Sequence, residues 1–564
     1  MANDEEKTLK RIMTGFVILA AVVGLGIGYK ALTSRPAGKG GEEGLVFSRV
    51  EPFVVPPLGG YQLSTVDLGE GPVPLLTIPL DTWGGYAALF TANKGSKPNK
   101  ESLFYKKGKF AVQLVHEEDA TEQFKGYASG KWPLIWAPMD SLPLLFDALK
   151  ADKRVQPKVI GLFDWSAGGD GILVRSSIKT AADLKGRIVL TSSNTPYGFF
   201  LLWYLAQSNL TGSDVKVVWV ADGEKAVKMF QKDRRIVAWV SWTPYITDCL
   251  DSKSPSYVPD ARLMISSKDA NQLIADCYIV RNDFLQDRPA IVQAFVEAMM
   301  EAAGAVPKAT YDDMADFYKL TSARAAETML DDVHVANFPE NRMFFDEGNS
   351  IGAYKVFLLA QEYYRQLGAL PNSADYEPDQ VLVPSVLAAI ANKGMFADQR
   401  NAIKSSFNRK AGLDVVDLES KRVVLTNNVV LYFDPQQTEF DPSSDRPEFR
   451  NNMLLLDKVA EQTKFLAATA IELVGNMDTS MQETYRSRGS QAYQEASVME
   501  KAVSKKRAEF VESLLVGKYG IPEDRIVTEG AGWDNPLDPH DNSKNRRVDV
   551  KFIALDDPSR SEAK

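Results

Sequence analysis

Between Leu45 and Arg400 short apolar runs alternate with helical stretches, and this alternation narrows the possible folds more than any other feature of the chain. Leu75–Leu80, Phe110–Val115, Leu134–Ala137, Gly171–Val174, Arg187–Leu190, Val215–Val220 and Ile236–Trp239 read as strands, with a helix over Ala120–Ala128 among the segments between them. Strands separated by helices predict α/β units on a mainly parallel sheet. The stretch is long enough for two lobes. The whole chain, at 564 residues, is too long for one core and is expected to hold two to four domains.

In open α/β sheets ligands collect at the carboxyl ends of strands. The loop Ser192–Gly198 gathers hydroxyls, an amide and the free N–H groups of a helix start, which suits an anion. The plainer alternative is N-capping by Ser193, Asn194 or Thr195. Trp83, Tyr86, Trp165, Tyr197 and Trp242 lie in or beside loops after strands, where an aromatic pair could sandwich a planar or cationic group; core packing is the competing reading for each. Asp81, Asp140 and Asp164 could pair with an amine or hold a hinge, and would repel an anion. These two lines of argument pull apart, so a sulfonate-like, an amine-bearing and a small heterocyclic ligand all stay open. Catalysis is not expected. Asp164–Gly171 carries Ser166 outside any G-x-S-x-G elbow, and no dinucleotide or Walker pattern occurs.

Residues 70–340 resemble the periplasmic substrate-binding proteins of the nitrate/sulfonate/taurine and thiamine-precursor group. Thr180–Thr191 (T-A-A-D-L-K-G-R-I-V-L-T), the loop to Gly198, Ala238–Pro244 (A-W-V-S-W-T-P) and Asp287–Phe295 carry the resemblance. It implies a two-lobed periplasmic binding protein fold with an interlobe ligand site. The candidate ligand residues are Trp83, Tyr86, Asp140, Trp165, Ser192, Asn194, Thr195, Tyr197, Trp242 and Thr243.

The last quarter holds Asp478, the run Val503–Ala508 containing Arg507, and Asn545-Arg-Arg547-Val-Asp-Val550, in that order. With strands at Arg422–Leu425, Val429–Phe433, Ala470–Asp478, Arg525–Thr528 and Val548–Phe552, and helices over Phe449–Thr469 and Ala496–Lys518, residues 422–554 resemble the OmpA-like peptidoglycan-binding domain, an α/β sandwich. In that family an aspartate and an arginine grip the ammonium and carboxylate of diaminopimelate in the stem peptide. The match carries those roles to Asp478 and Arg507, and a contact or loop-ordering role to Asn545 and Arg547. Arginine suits the task because its fork matches a carboxylate, which lysine cannot copy. Without the resemblance, Asp478 would read as a helix cap and Arg507 as half of a surface ion pair. The interval between them is about twice the family's usual one, and Glu483–Val498 is expected to be a looped-out insertion or a cover over the pocket.

Ile12–Tyr29 is an 18-residue uncharged, mostly apolar run behind Lys7, Lys10 and Arg11. It predicts a retained transmembrane helix with a cytoplasmic N-terminus, against the alternative of a cleaved signal peptide. The expected organisation is a cytoplasmic tail (1–11), the span (12–29), a tether (30–44), the two-lobed domain (45–400), a linker (401–421), the OmpA-like domain (422–554) and a tail (555–564). In an oxidising periplasm Cys249 and Cys277 could form a disulfide; two buried free thiols are the alternative. A net charge of −9 argues against nucleic acid as main partner, and three scattered histidines argue against a metal site or cofactor. The leading expectation is a non-enzymatic protein of the bacterial inner membrane, single-pass, with its bulk in the periplasm. It would bind a small molecule for a transporter or other membrane complex while holding peptidoglycan. The alternative is an envelope spacer whose middle domain docks a protein. A motor stator subunit would need an ionisable residue in its span, which Ile12–Tyr29 lacks.

Overall fold

The computed structural model describes residues 55–192, 196–220, 223–403, 423–467, 469–538 and 540–554, with side chains 426–430 left aside. All of them belong to one compact unit, Phe47–Lys564. The expected span Ile12–Tyr29 lies outside the described residues, among which no helix is long and apolar enough to cross a membrane.

The first lobe begins with β1 (Ser64–Asp67), β2 (Pro72–Leu80), β3 (Ala111–His116), β4 (Leu134–Pro138) and β5 (Pro157–Ser166). The chain then crosses into a second lobe made of β6 (Asp170–Arg175), β7 (Ile188–Thr191), β8 (Lys216–Trp219), β9 (Ile236–Trp242) and β10 (Ala261–Ser266), and returns through β11 (Ala275–Arg281) and β12 (Val333–Val335). The sheets run β1-β2-β3, β12-β5-β11-β4 and, in the second lobe, β10-β6-β9-β7-β8. The expectation of a mainly parallel sheet is corrected. β2 and β3, β7 and β8, and β7 and β9 are parallel, but the sheet of β12, β5, β11 and β4 is wholly antiparallel. The reason is the double crossing: a strand that leaves one lobe for the other cannot loop back through a crossover helix, so its neighbour runs the opposite way.

Ser267 ties the two crossings together. Its hydroxyl meets that of Ser166 at 2.8 Å and accepts the amides of Gly168 (2.9 Å) and Asp170 (3.1 Å). Gly168 has φ +150°, a conformation open to glycine and strained for any L side chain.

Helix α1 (Pro196–Gln207, PYGFFLLWYLAQ) is apolar all round, the pattern of a helix covered on every side. It packs on β9 and on helix α2 (Ala353–Gln366), and its far end meets the C-terminal domain. There the Tyr204 hydroxyl donates to the Val424 carbonyl (3.1 Å), and Trp203 meets Phe465 edge-on at 6.0 Å. Lys458 donates to Asn209 Oδ1 at 2.7 Å, and Lys355 pairs with Glu461 at 2.9 Å.

The C-terminal domain consists of β13 (Val423–Tyr432), helix α3 (Pro447–Phe465), β14 (Thr469–Asn476), helix α4 (Ser490–Tyr519), β15 (Ile526–Gly532) and β16 (Arg547–Ala554). Its sheet order is β13-β16-β14-β15, with β14 and β15 parallel and the other pairs antiparallel. The two strand expectations at 422–433 are one ten-residue strand with register shifts. The segment 483–498 is not looped out. A short helix (Gln482–Ser487), a turn at Gly489 (φ +105°) and the first turns of the 30-residue α4 absorb it.

Helix α4 approaches its sheet over two glycines: a Cβ on Gly475 would overlap the Ser504 carbonyl, and one on Gly530 the Lys501 carbonyl. Both obstacles are backbone and cannot swing aside. Gly475→Ala is therefore expected to destabilise the C-terminal domain by roughly 1–3 kcal/mol through overpacking. Gly517→Ala, in the same helix with open space around it, should be neutral or stabilising by up to about 1 kcal/mol. Urea unfolding of the two variants beside the parent checks both.

Candidate functional site

Strand ends of both lobes bring a group of aspartates to one place. Asp81 follows β2, Asp140 follows β4, Asp164 lies near the end of β5, Asp276 lies at the start of β11, and Asp170 opens β6 in the second lobe. Asp164 and Asp276 are directly paired across the β5–β11 ladder. Burial, and then the Asp164 charge, drive the Asp276 carboxyl well up, and the two carboxyl groups share a hydrogen bond. The Trp83 indole N–H donates to Asp164 Oδ2 at 2.7 Å. Gly85 makes room for that bond, since a Cβ there would collide with the Asp164 carboxylate and the Trp83 ring nitrogen. The Tyr86 hydroxyl donates to Asp81 Oδ1 at 2.7 Å, while its ring stacks on Phe163 in the core.

Burial raises every one of these acids: Asp81 to about 7, Asp140 and Asp164 to about 8, and Asp170 to about 7. Neighbouring carboxylates add to the shift: Glu118 on Asp81, Asp170 on Asp140 and Asp164, and Asp332 on Asp170. Asp140 is 2% exposed, and neither of its oxygens has a hydrogen-bond partner.

The other predicted ligand residues divide. Tyr197 and Trp242 stack at 5.0 Å with their planes 3° apart, and the Tyr197 phenol feels Asp170, Asp81, Asp276 and Asp140 together. Thr243 sits at the crossing, its amide donating to the Gly169 carbonyl at 2.8 Å and its hydroxyl bonded to Asp332. The Ser192 hydroxyl donates to the Val220 carbonyl at 2.7 Å. Trp165 is not in a loop: it is buried in β5 and packs on His334 and Phe344. Asn194 and Thr195 lie outside the described residues. Asp170 and Asp276 were missed. Asp170 belongs to the same run Asp164–Gly171 as Asp164, but Asp276 offers no local signal, because only the antiparallel pairing with β5 delivers it. The disulfide expectation is corrected. Cys249, in a helix of the second lobe, and Cys277, in β11 of the first, are buried free thiols in separate cores.

A second polar group sits in the C-terminal domain. Arg507, on α4, is 0% exposed, donating to the Gln437 carbonyl (2.9 Å) and the Asn476 carbonyl (2.8 Å) and leaving Nη2 unpartnered. Burial lowers it to about 10, as does the nearby Arg546, while Asp478 and Glu500 act the other way. Asp478 follows β14. It accepts the Ser480 amide (3.0 Å) and hydroxyl, and its Oδ2 pairs with Arg546 at 3.1 Å. Despite burial, these partners hold its carboxyl below the usual range. Asp478 and Arg507 therefore share one site. Asn545 orders the preceding loop, accepting the amides of Leu537 (2.7 Å) and Asp538 (3.0 Å) and donating to the Asp538 carbonyl (2.7 Å). Arg547 pairs within its strand with Asp549 at 2.8 Å. Arg546, beside Asp478, was overlooked for its neighbour.

Two folded parts with separate polar sites define a two-domain binding architecture. Residues 100–308 match the family model described as NMT1/THI5 like, and residues 432–549 match the OmpA family. The chain thus combines an NMT1/THI5-like domain with a C-terminal OmpA-like domain. It is 34% identical over 119 residues to the "Outer membrane protein A" of Bordetella avium, covering 20% of this chain and 52% of that one, so it spans about half that relative's length. It is 24% identical over 234 residues to a protein of Escherichia coli (strain K12) named "Putative aliphatic sulfonates-binding protein", covering 38% of this chain and 69% of that one. The crystal structure of the periplasmic aliphatic sulphonate binding protein SsuA from Escherichia coli aligns with a TM-score of 0.42 at 18% identity, over 56% of this chain and 99% of that one.

The raised carboxyl groups make stability depend on pH. The folded state holds protons on Asp81, Asp140, Asp164 and Asp170 that the unfolded chain releases near the ordinary value of 3.8. Their contribution is fully present below that value and is lost as pH rises through about 7 to 8. The melting temperature of the two-lobed domain in the ligand-free chain is expected to fall between pH 5 and pH 9, and Asp140→Asn should flatten the fall. Thermal melts followed by tryptophan fluorescence check this; a level profile contradicts it.

Proposed function

We propose that the protein is a periplasmic solute-binding protein that also grips peptidoglycan, presenting or sensing a small molecule for a membrane partner. In this reading the interlobe edge holds the solute, and the Asp478–Arg507 site holds the stem peptide through diaminopimelate. The span Ile12–Tyr29 anchors the chain in the inner membrane, and a transporter or another membrane complex receives the bound solute or the signal. Arg546 orients Asp478, while Asn545 orders the loop beside it.

The observation that carries the reading is the convergence of Asp478 and Arg507, from the end of β14 and the middle of α4, in a pocket also holding Arg546 and Glu500. Two cations and two anions balance there. A stem peptide that offers an ammonium and a carboxylate side by side suits such a pocket, since each end finds an opposite charge.

Retention on purified peptidoglycan sacculi tests it. Asp478→Asn should weaken retention of the full chain at least about tenfold, since removing one partner of a hydrogen-bonded charge pair costs roughly 2–5 kcal/mol. Arg507→Lys should do the same, with circular dichroism confirming the fold because Arg507 also secures two backbone carbonyls. Retention unchanged in both variants overturns the wall-binding reading.

A further inference from the structure

Nothing in the solute-binding reading names the solute, but the interlobe edge has a definite sign. Asp81, Asp140, Asp164 and Asp276 come from the first lobe and Asp170 from the second. Asp170 acts on Asp140, Asp164 and Asp276, so the acids of the two lobes face each other. No lysine or arginine is among the groups that chiefly act on any of the five. Four of them have side-chain partners: Asp81 has Tyr86, Asp164 has Trp83 and Asp276, Asp276 has Asp164, and Asp170 has Ser166.

Asp140 has none. Both its oxygens are buried and unpartnered, although buried polar groups in folded proteins are nearly always satisfied. Thr191, wholly buried at the carboxyl end of β7 and next to the loop that opens α1, also carries an unpartnered hydroxyl. The stacked Tyr197–Trp242 pair lies at the same edge, with the Tyr197 phenol in the field of Asp140 and three of the other acids. Carboxylates beside aromatic faces recognise an organic ammonium, by charge at the one and by the ring quadrupole at the other. A metal ion does not fit, because among the described residues no three acidic, histidine or cysteine groups converge as metal ligands. Among the described residues an anion would meet five acids on which no lysine or arginine chiefly acts.

We infer that the interlobe site takes a small organic cation, a solute bearing a protonated amine or a quaternary ammonium, held by Asp140 and stacked beside Tyr197 and Trp242. This rests on the solute-binding reading and reverses the charge that the sulfonate-binding relative's name would suggest. Asp140 must ionise to hold the cation. The groups facing it are Asp170 on β6, Asp276 and Cys277 on β11, Tyr197 on α1 and Tyr364 on α2, so burial first and then neighbouring acids oppose its ionisation. Affinity for an amine that stays charged throughout should therefore rise with pH.

Isothermal titration of the full chain with putrescine, choline and histamine, and with ethanesulfonate and nitrate, tests the inference. At least one of the three cations should bind, with affinity about tenfold higher at pH 8.5 than at pH 6 for putrescine or choline, and neither anion should bind. Asp140→Asn should weaken that binding at least about tenfold and flatten its pH dependence. Trp242→Leu should weaken it without changing the pH dependence, which separates stacking from charge. Binding of ethanesulfonate or nitrate without any of the cations overturns the cation assignment and leaves the solute-binding reading standing. No binding of any probe overturns both. Cation binding that Asp140→Asn leaves intact overturns the role given to Asp140.

Discussion

The chain passes between its lobes twice, and the hydroxyl of Ser267 fastens one passage to the other. Because the first passage is only the stretch from Ser166 to Asp170, the last residues of β5 and the first of β6 are held close. That closeness sets Asp164 and Asp170 at the same edge. The return passage starts β11 antiparallel to β5 and so places Asp276 against Asp164. Three of the five buried acids thus follow from how the backbone crosses. The remaining two, Asp81 and Asp140, end strands of the first lobe at the same edge. Gly168 and Gly169 are part of the same constraint. The first adopts a conformation suited to glycine, and a Cβ on the second would strike the Trp83 ring.

Helix α1 connects this edge to the rest of the molecule. Its first turn carries Tyr197, stacked on Trp242, and its last two turns carry Trp203 and Tyr204 into the C-terminal domain. Helix α2 packs against α1 and against the segment containing Asp140, and its Lys355 reaches Glu461. Both helices therefore touch the acidic edge near one end and the second domain near another. One twelve-residue helix thus joins Tyr197 at the acidic edge to Trp203 and Tyr204 at the second domain. The all-round apolar sequence of α1 has its cause here, since a helix facing solvent on any side would carry polar residues there.

Much of this was legible in the residues themselves. Strands such as β7 (IVLT) and β9 (IVAWVSW) announce themselves by continuous β-branched and aromatic runs between turns. The ordered set Asp478, Arg507 and Asn545 marked the second site. What stayed hidden depended on tertiary pairing. β5 and β11 carry Gly161, Asp164 and Asp276 among their apolar residues, and these breaks conceal strands that are buried at every position but Lys158. Trp165 looked like a loop aromatic because Ser166-Ala-Gly-Gly follows it, yet the strand runs through Ser166 and alternation turns its ring away from Asp164 into the core. Arg546 and Arg547 are adjacent, and only the position of the β16 start decides which one turns toward Asp478.

The two polar sites follow opposite electrostatic designs, although desolvation acts on both. At the interlobe edge burial meets a group of acids, and each carboxyl is pushed toward its neutral form. In the C-terminal domain burial meets a balanced set. Asp478 is held ionised by Arg546 and Ser480, and Arg507 keeps its charge among Asp478 and Glu500. A balanced pocket is stable without a guest and selects a guest that is itself balanced. An unbalanced one gains most from a guest that supplies the missing sign, because that guest removes a penalty the empty fold already carries. In the proposed reading the C-terminal site would hold its ligand with little change in its own protonation, whereas capture of a cation between the lobes would release protons. Under that proposal the two designs would let a single chain stay fastened at one end while its other site fills and empties with the surrounding solute.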